Sequence, residues 1–447
     1  MTHVAVIDVG KTNAKLALVD GETLTEIAVI TRPNRVLTDG PYPHFDLDGH
    51  WAFFLKGLQQ FHAAHGVDAI SVTTHGAAVT LIDHDGMAIP MLDYEFAGPQ
   101  TDSYAAIRPD FRETGSPALP MGLNVGAQLH WLLNVDPSLR GRIKAIVTYP
   151  QYWGYRLTGQ LATDVTSLGC HTDLWNPNTG DYSPLVKALG IADVMAPARR
   201  SSDVLGTVTP EITARTGIPA NTPVVCGIHD SNASLYPYLL DQQDAFSVVS
   251  TGTWVVCMAM GAEQPVLDPA RDTLINVNAL GDPVPTARFM GGREFEIIRA
   301  GRDVVPTGPD RDAVLKGIYL MPAVEPSTGP FAGRKMTWCG QAHSDGQEMV
   351  ALAYYLALMT DTCLSLVGAK GDVIVEGPFA RNSDYLDMLA TLRQDVRIAA
   401  SATGTSVGAA LLALDRPQGP ETQKITRHPD ERLNRYAREW KRKVNAP

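Results

Sequence analysis

VAVIDVGKTNAK, spanning Val4–Lys15, sets how the chain begins to fold. Its Gly10-Lys11-Thr12 matches the end of a Walker A loop, G-x-x-x-x-G-K-[ST]. That loop needs a glycine five residues before Gly10, but Ala5 stands there, inside the apolar run Val4–Ile7. Without that glycine the backbone cannot wrap a phosphate in the Walker manner. The residues that follow, KLALVDG at Lys15–Gly21, alternate and close on a turn residue. The stretch therefore reads as strand, tight turn, strand.

A counterpart lies about 240 residues later, AFSVVSTGTWVVCMAMG at Ala245–Gly261. It too has an apolar strand, a small polar turn containing Gly-Thr, and a second apolar strand. The matched context points to a duplicated domain, with two hairpins able to clamp a polyphosphate from both sides. At 447 residues the chain exceeds one ordinary core. We expect two domains, 1–238 and 239–447, with the boundary within Ala233–Asp244 and a closing tail from Pro417 onward.

Composition narrows the function. The chain is 45% hydrophobic and 19% charged, ordinary for a globular protein. A formal charge of −11 argues against nucleic acid or an anionic membrane as partner. An anionic cofactor remains compatible, because a local cradle of backbone N–H groups binds phosphate even in an acidic protein. The five cysteines (Cys170, Cys226, Cys257, Cys339 and Cys363) are scattered and odd in number, as in a reducing compartment. With no signal-peptide pattern and no apolar run approaching the ~18 residues of a membrane span, a cytoplasmic location is expected.

Strands and helices alternate along the rest of the chain. Val67–Ile82 reads as a strand pair, Gly126–Asn134 as helical, and Tyr149–Gly159 as a helix ending on glycine. Gln347–Val367 is a long apolar-periodic helix and Gly371–Glu376 a buried strand. A further helix falls near Asp384–Arg393, and Ser406–Ala413 has the small-residue face of a tightly packed one. The pattern is α/β.

At this point the chain resembles the FGGY carbohydrate kinases over nearly its full length. Asp8-Val-Gly-Lys-Thr-Asn13 is similar to their first phosphate motif, and Thr74-His75-Gly76 to the sugar-side segment. Tyr155–Gly159 and Thr163–Ser167 resemble the run that closes the family's N-terminal domain. Gly227-Ile-His-Asp230 is similar to the Gly-x-x-Asp of the catalytic base, and Ser250-Thr-Gly-Thr253 to the second phosphate loop. Glu376–Asn382 stands where the family has its Gly-Gly-x-x-x-Asn adenosine motif. The resemblance implies two actin-like, ribonuclease-H-type domains flanking a nucleotide and sugar cleft, with ATP and Mg²⁺ as cofactors.

It also implies roles. Asp230 would be the general base for the attacking hydroxyl, and Asp8 would hold Mg²⁺, through water. Gly10, Lys11, Thr12 and Asn13, with Thr251, Gly252 and Thr253, would bind phosphate. Gly377, Pro378 and Asn382 would bind adenosine, with Gly377 allowing close backbone approach. Thr74, His75, Gly76, Asp93, His229 and Asp230 would meet the sugar, whose hydroxyls need mixed donors and acceptors.

Three departures from the family pattern stand out. Its Trp-x-Asp-x-Arg sugar motif is replaced by Met91-Leu-Asp-Tyr-Glu95, which keeps Asp93 and loses the Trp and the Arg. The family commonly has a small residue at the position of Lys11, and its second adenosine glycine is Pro378, which lacks an N–H.

Several tempting features have plainer readings. His62 and His65 are spaced as a metal pair but read as a solvent-facing helix surface, and His44–Trp51 (HFDLDGHW) as a turn capping a helix from Trp51. The basic stretch Arg427–Lys443 reads as an exposed terminal helix.

Gly-x-His-Asp230 and Gly-Thr-Trp254 are similar to the kinases of the 6-deoxyketoses L-fuculose and L-rhamnulose. The expected function is phosphoryl transfer from ATP to a terminal hydroxyl of such a ketose or of a pentulose. The alternatives are another polyol or ketose (erythritol, D-xylulose) and a sugar- or nucleotide-binding regulator with weak catalysis. A dinucleotide-dependent oxidoreductase is disfavoured, since a hairpin and not G-x-G-x-x-G follows the first strand. The only partner implied is the small sugar, and a homodimer is the commonest oligomer by prior.

Overall fold

His3–Val9 and Asn13–Asp20 pair antiparallel, with Asp8 opposite Lys15, and the turn is closed by Gly10 N donating to Asn13 O at 2.9 Å. The opening stretch is thus the expected hairpin. The computed structural model describes residues 2–240, 244–262, 265–399, 404–415, 419–426 and 430–445. The proposed start of the tail, Pro417, lies outside these.

The chain divides into two compact units. The first holds residues 1–241, 275–283 and 403–419; the second holds 242–274, 284–402 and 420–447.

In the first unit, Thr25–Pro33, Asn13–Asp20 and His3–Val9 form an antiparallel meander. Ala69–Thr74 pairs parallel to His3–Val9, Pro223–Val225 parallel to Ala69–Thr74, and Val204–Thr207 closes the edge antiparallel. The second sheet repeats this order. Pro283–Phe289, Val255–Met260 and Phe246–Thr251 form the meander. Asp372–Glu376 and Val396–Ala399 follow in parallel, and Thr422–Lys424 closes antiparallel. The half-length echo in the sequence is therefore a repeated sheet topology, the duplicated ribonuclease-H-type arrangement.

The strands at the centre of each sheet read as continuous apolar runs because both faces are covered. Val4–Ile7 and Leu16–Val19 are fully buried, as are Val248 and Val249. Helix Asp345–Leu366 is long and apolar enough to cross a membrane, yet 83% of its most apolar window is buried inside the protein. It is the central helix of the second unit's core.

Three readings change. Val67–Ile82 is not a paired hairpin: Ala69–Thr74 joins the main sheet, while Val79–Ile82 pairs with Ala145–Thr148 elsewhere. Local alternation cannot say which partner a strand takes. The first helix starts at Leu47 and not Trp51, capped by Asp46 accepting from Gly49 N. The terminal helix Glu431–Val444 buries Leu433, Tyr436, Ala437, Trp440 and Val444 and keeps its charges outward. Trp440 Nε1 donates to Leu320 O, and Tyr436 Oη to Ile318 O, each at 2.8 Å. Such burial stabilises the fold by roughly 2–3 kcal/mol per large side chain.

Candidate active site

In the first unit, three parallel strands end side by side. Val9 and His229 both register with Thr74, and Asp8 and Ile228 with Thr73. The expected residues Asp8, Thr74, His75, Gly76, His229 and Asp230 therefore gather at one carboxyl edge, where open α/β sheets place their ligands.

Asp8 is buried, and its Oδ2 accepts from Thr405 Oγ1 at 2.6 Å and from Ser406 Oγ at 3.2 Å. Lys15 Nζ lies 3.3 Å from the same oxygen and 3.1 Å from Glu26 Oε1. Beside Asp8, the turn of the hairpin is braced from behind. Asn34 Nδ2 donates to Gly10 O and Asn34 N to Thr12 O, both at 2.8 Å. Asn34 Oδ1 in turn meets buried His50 Nε2 at 2.8 Å. His50, part of the stretch HFDLDGHW, is thus a structural residue. Its second nitrogen faces Arg32 Nη1 at 2.9 Å, and burial, then the Arg32 charge, lower its pKa to about 4. Thr12 and Asn13 stay exposed at the tip.

Thr74 is fully buried, and its hydroxyl donates to His75 O at 3.0 Å. The buried His75 ring sits among Phe45, Tyr94 and Tyr149, with centroids 5.1, 5.3 and 5.1 Å away. Its Nδ1 is 2.8 Å from Gly76 O, and its Nε2 has no partner among the described residues. Burial holds His75 and His229 neutral, lowering each pKa to about 4. His229 Nε2 lies 3.3 Å from Asp230 Oδ1 and 3.5 Å from Cys170 Sγ. A side chain on Gly76 would press against that nitrogen, its Cβ only 2.7 Å away.

Asp230 opens the helix Asp230–Leu239, and its Oδ1 accepts from Ser231 N at 2.6 Å. About a third of its side chain remains open to solvent. Burial of the surrounding recess raises its pKa to about 6. The result is a carboxylate of raised basicity with an accessible edge.

Asp93 is also buried, and Lys11 Nζ donates to its Oδ1. The same ammonium is 3.2 Å from Glu95 Oε2 and 4.5 Å from the centre of the Tyr94 ring. Lys11, expected at phosphate, is thus engaged by the Met91–Glu95 segment.

The second unit gathers the remaining residues differently. Thr251 ends its strand, and its hydroxyl donates to Glu376 O at 2.5 Å and accepts from Phe379 N at 3.1 Å. Gly252, Thr253, Pro378 and Asn382 line one cavity of about 840 Å³. Thr251 and Gly377 do not line it but hold the two loops together. Gly377 has φ +83°, and a Cβ there would come within 2.0 Å of Thr251 O. Close packing of two backbones thus demands this glycine. Pro378 opens a short 3₁₀ turn, and Asn382 caps the helix Ser383–Leu392 by accepting from Tyr385 N. Five arginines line the cavity (Arg293, Arg299, Arg302, Arg311 and Arg381) against three acids, Glu296, Asp303 and Asp384. Four of these arginines are already paired with carboxylates: Arg293 with Glu325, Arg299 with Glu296, Arg302 with Asp345 and Glu348, and Arg311 with Asp384.

Sequence reasoning missed Lys15, Thr405 and Ser406 around Asp8, and Gly292 and the arginines in the second unit. Lys15 was within reach, because a hairpin turning at Gly10–Asn13 sets it directly opposite Asp8. Thr405 stands 397 positions away and carries no local signal. The described residues contain no cluster of three or more His, Cys, Asp or Glu side chains suited to a metal, and His62 Nδ1 accepts from Val67 N at 3.1 Å.

Residues 3–236 match the FGGY family of carbohydrate kinases, N-terminal domain, and residues 243–423 match carbohydrate kinase FGGY, C-terminal domain. The crystal structure of a carbohydrate kinase from Novosphingobium aromaticivorans is 35% identical, with a TM-score of 0.91, covering 99% of this chain and all of that one. L-fuculokinase of Escherichia coli strain K12 is 25% identical over 277 residues, which is 58% of this chain and 57% of that relative's length. The ligand-bound xylulose kinase of Lactobacillus acidophilus, 15% identical, shares the fold with a TM-score of 0.79 over all of this chain and 98% of that one.

Proposed function

The chain belongs to the FGGY family of carbohydrate kinases, and from that premise we propose that it transfers the γ-phosphoryl group of ATP to a terminal hydroxyl of a ketose. The observation that carries this reading is the Asp230 carboxylate, raised in basicity and open along one edge at the strand ends beside His75 and His229.

Phosphoryl transfer needs positioning, charge stabilisation and a base for the acceptor hydroxyl. Asp230 takes the proton of the attacking hydroxyl. Thr74, His75, Gly76, Asp93 and His229 form the acceptor side, with Gly76 leaving room for His229. Gly10, Thr12 and Asn13 present the braced hairpin tip to phosphate, and Thr251, Gly252 and Thr253 the second loop. Gly377, Pro378 and Asn382 belong to the adenosine side, beside the cavity that Arg381 also lines.

Asp8 suits Mg²⁺, a hard cation that takes one or two carboxylates together with substrate phosphates. One buried carboxylate at a strand end, accepting from two hydroxyls, fits that requirement, with Lys15 then yielding Asp8 to the ion and keeping its contact with Glu26. Asp8 would hold the ion, and the ion would neutralise phosphate charge.

A 6-deoxyketose such as L-fuculose or L-rhamnulose in its ketose form, or a pentulose, is the acceptor we favour. Half-buried Tyr94 offers an apolar ring face for a methyl terminus, backed by the buried rings of Phe45 and Tyr149. The similarity to an L-fuculokinase supports the same choice. None of the five cysteines is in a disulfide and four are buried, which accords with a cytoplasmic setting.

The test is ADP release over a panel of 6-deoxyketoses, pentuloses, polyols and aldonates. Release that depends on a ketose supports the proposal, and the absence of acceptor-dependent release across the panel refutes it.

A further inference from the structure

Lys11 projects from the first hairpin, yet its ammonium is spent on the acceptor segment. Nζ donates to Asp93 Oδ1, stands 3.2 Å from Glu95 Oε2, and lies over the rings of Tyr94 and Phe45 at 4.5 and 5.2 Å. An ammonium has three N–H donors, and two face these carboxylates. The Asp93 side chain is only 6% exposed, and a carboxylate so buried requires a cation or several donors. Apart from Lys11, its Oδ1 receives the Glu95 N–H at 3.2 Å.

The segment Met91-Leu-Asp-Tyr-Glu95 puts an acid where the family pattern carries its arginine, and Lys11 stands where that pattern has a small residue. The contact between Lys11 and Glu95 joins these two positions, with the cation on the hairpin and the acid on the segment.

We infer that Lys11 is a positioning residue of the acceptor subsite, holding Asp93 in place, while the surplus negative charge of Asp93 and Glu95 selects an uncharged polyhydroxy acceptor over an aldonate. This rests on the kinase reading above. Two carboxylates against one ammonium leave the subsite with a net negative charge before Asp230 is counted. A neutral sugar tolerates that field, and an anionic acceptor is repelled by it.

The experiment measures KM for the best acceptor and for ATP in the wild type, Lys11→Thr, Lys11→Arg, and the double variant Lys11→Thr/Glu95→Arg, which restores the family arrangement. The inference predicts that Lys11→Thr raises acceptor KM at least tenfold with ATP KM changed less than twofold. Lys11→Arg keeps acceptor KM within threefold of wild type, and the double variant returns it to that range. An aldonate at ten times the ketose KM neither turns over nor inhibits the wild type.

A rise in ATP KM with unmoved acceptor KM assigns Lys11 to phosphate and overturns the inference. So does a double variant that folds but recovers nothing, or an aldonate preferred over the ketose. Should Lys11→Thr not fold, the Lys11→Arg and aldonate arms decide. A wild type that releases no ADP with any acceptor rejects the kinase reading itself, whereas an active wild type indifferent to Lys11→Thr rejects only the role of Lys11.

Discussion

His75 donates its Nδ1 proton to the carbonyl oxygen of Gly76 across 2.8 Å, and that one bond fixes the tautomer of the ring. A carbonyl only accepts, so the proton must be on Nδ1. Nε2 is then a bare, buried lone pair with no partner among the described residues. It can serve only a donor, and a sugar hydroxyl is one.

His75→Phe keeps the ring packing against Phe45, Tyr94 and Tyr149 and removes that acceptor. We expect kcat/KM for the acceptor to fall about tenfold to a hundredfold, the range for losing a buried hydrogen bond to substrate, with ATP KM unchanged. Steady-state kinetics with each substrate varied in turn decide it. An unchanged acceptor term would remove His75 from the sugar side.

The strand residues that carry the site were legible because they follow elementary rules. An apolar run ending in Asp8, or in His229-Asp230, marks a buried strand that delivers polar groups at its end. The repeated sheet order followed from two similar hairpins. What the sequence hid were partners brought in from far along the chain, such as Thr405 against Asp8, and the true reason for a residue type. Gly377 was expected to admit a nucleotide, but the backbone of Thr251 already demands a glycine there. Local pattern shows that an element exists; which element packs on it is a tertiary matter.

That packing gives the next prediction. Gly377→Ala would place a methyl group against Thr251 O at a positive φ, and the two loops would have to part. Stability should fall by about 3 kcal/mol, at the severe end for a single substitution. Nucleotide affinity should fall with it, read by urea denaturation and by titration with a fluorescent nucleotide. A variant that melts and binds like the wild type would contradict the packing described.

His50, His75 and His229 are each held neutral by burial, with pKa values lowered to about 4. As pH falls below the ordinary value of about 6.5, the unfolded chain takes up protons that the fold refuses. Each histidine therefore withdraws stability as pH drops from about 6.5 toward 4, by about 1.4 kcal/mol per pH unit at most. Glu294 works in the other direction. Burial raises its pKa to about 7, so the proton it retains favours the fold in acid and that contribution is lost as pH rises through 7. NMR titration of the imidazoles should find these three still neutral at pH 5, while exposed histidines titrate normally. Midpoints near 6.5 for any of the three would show that burial does not hold its ring neutral.

The proposed base Asp230 would act only as the carboxylate, so kcat/KM is expected to rise with pH through about 6 and level above 7. The most direct measurement is acceptor-dependent ADP release by the wild type and Asp230→Asn, at pH 7.5 and saturating ATP, with the best ketose. The structure predicts a loss of at least a hundredfold in kcat, with ATP binding retained. Undiminished turnover by the Asn variant would contradict it.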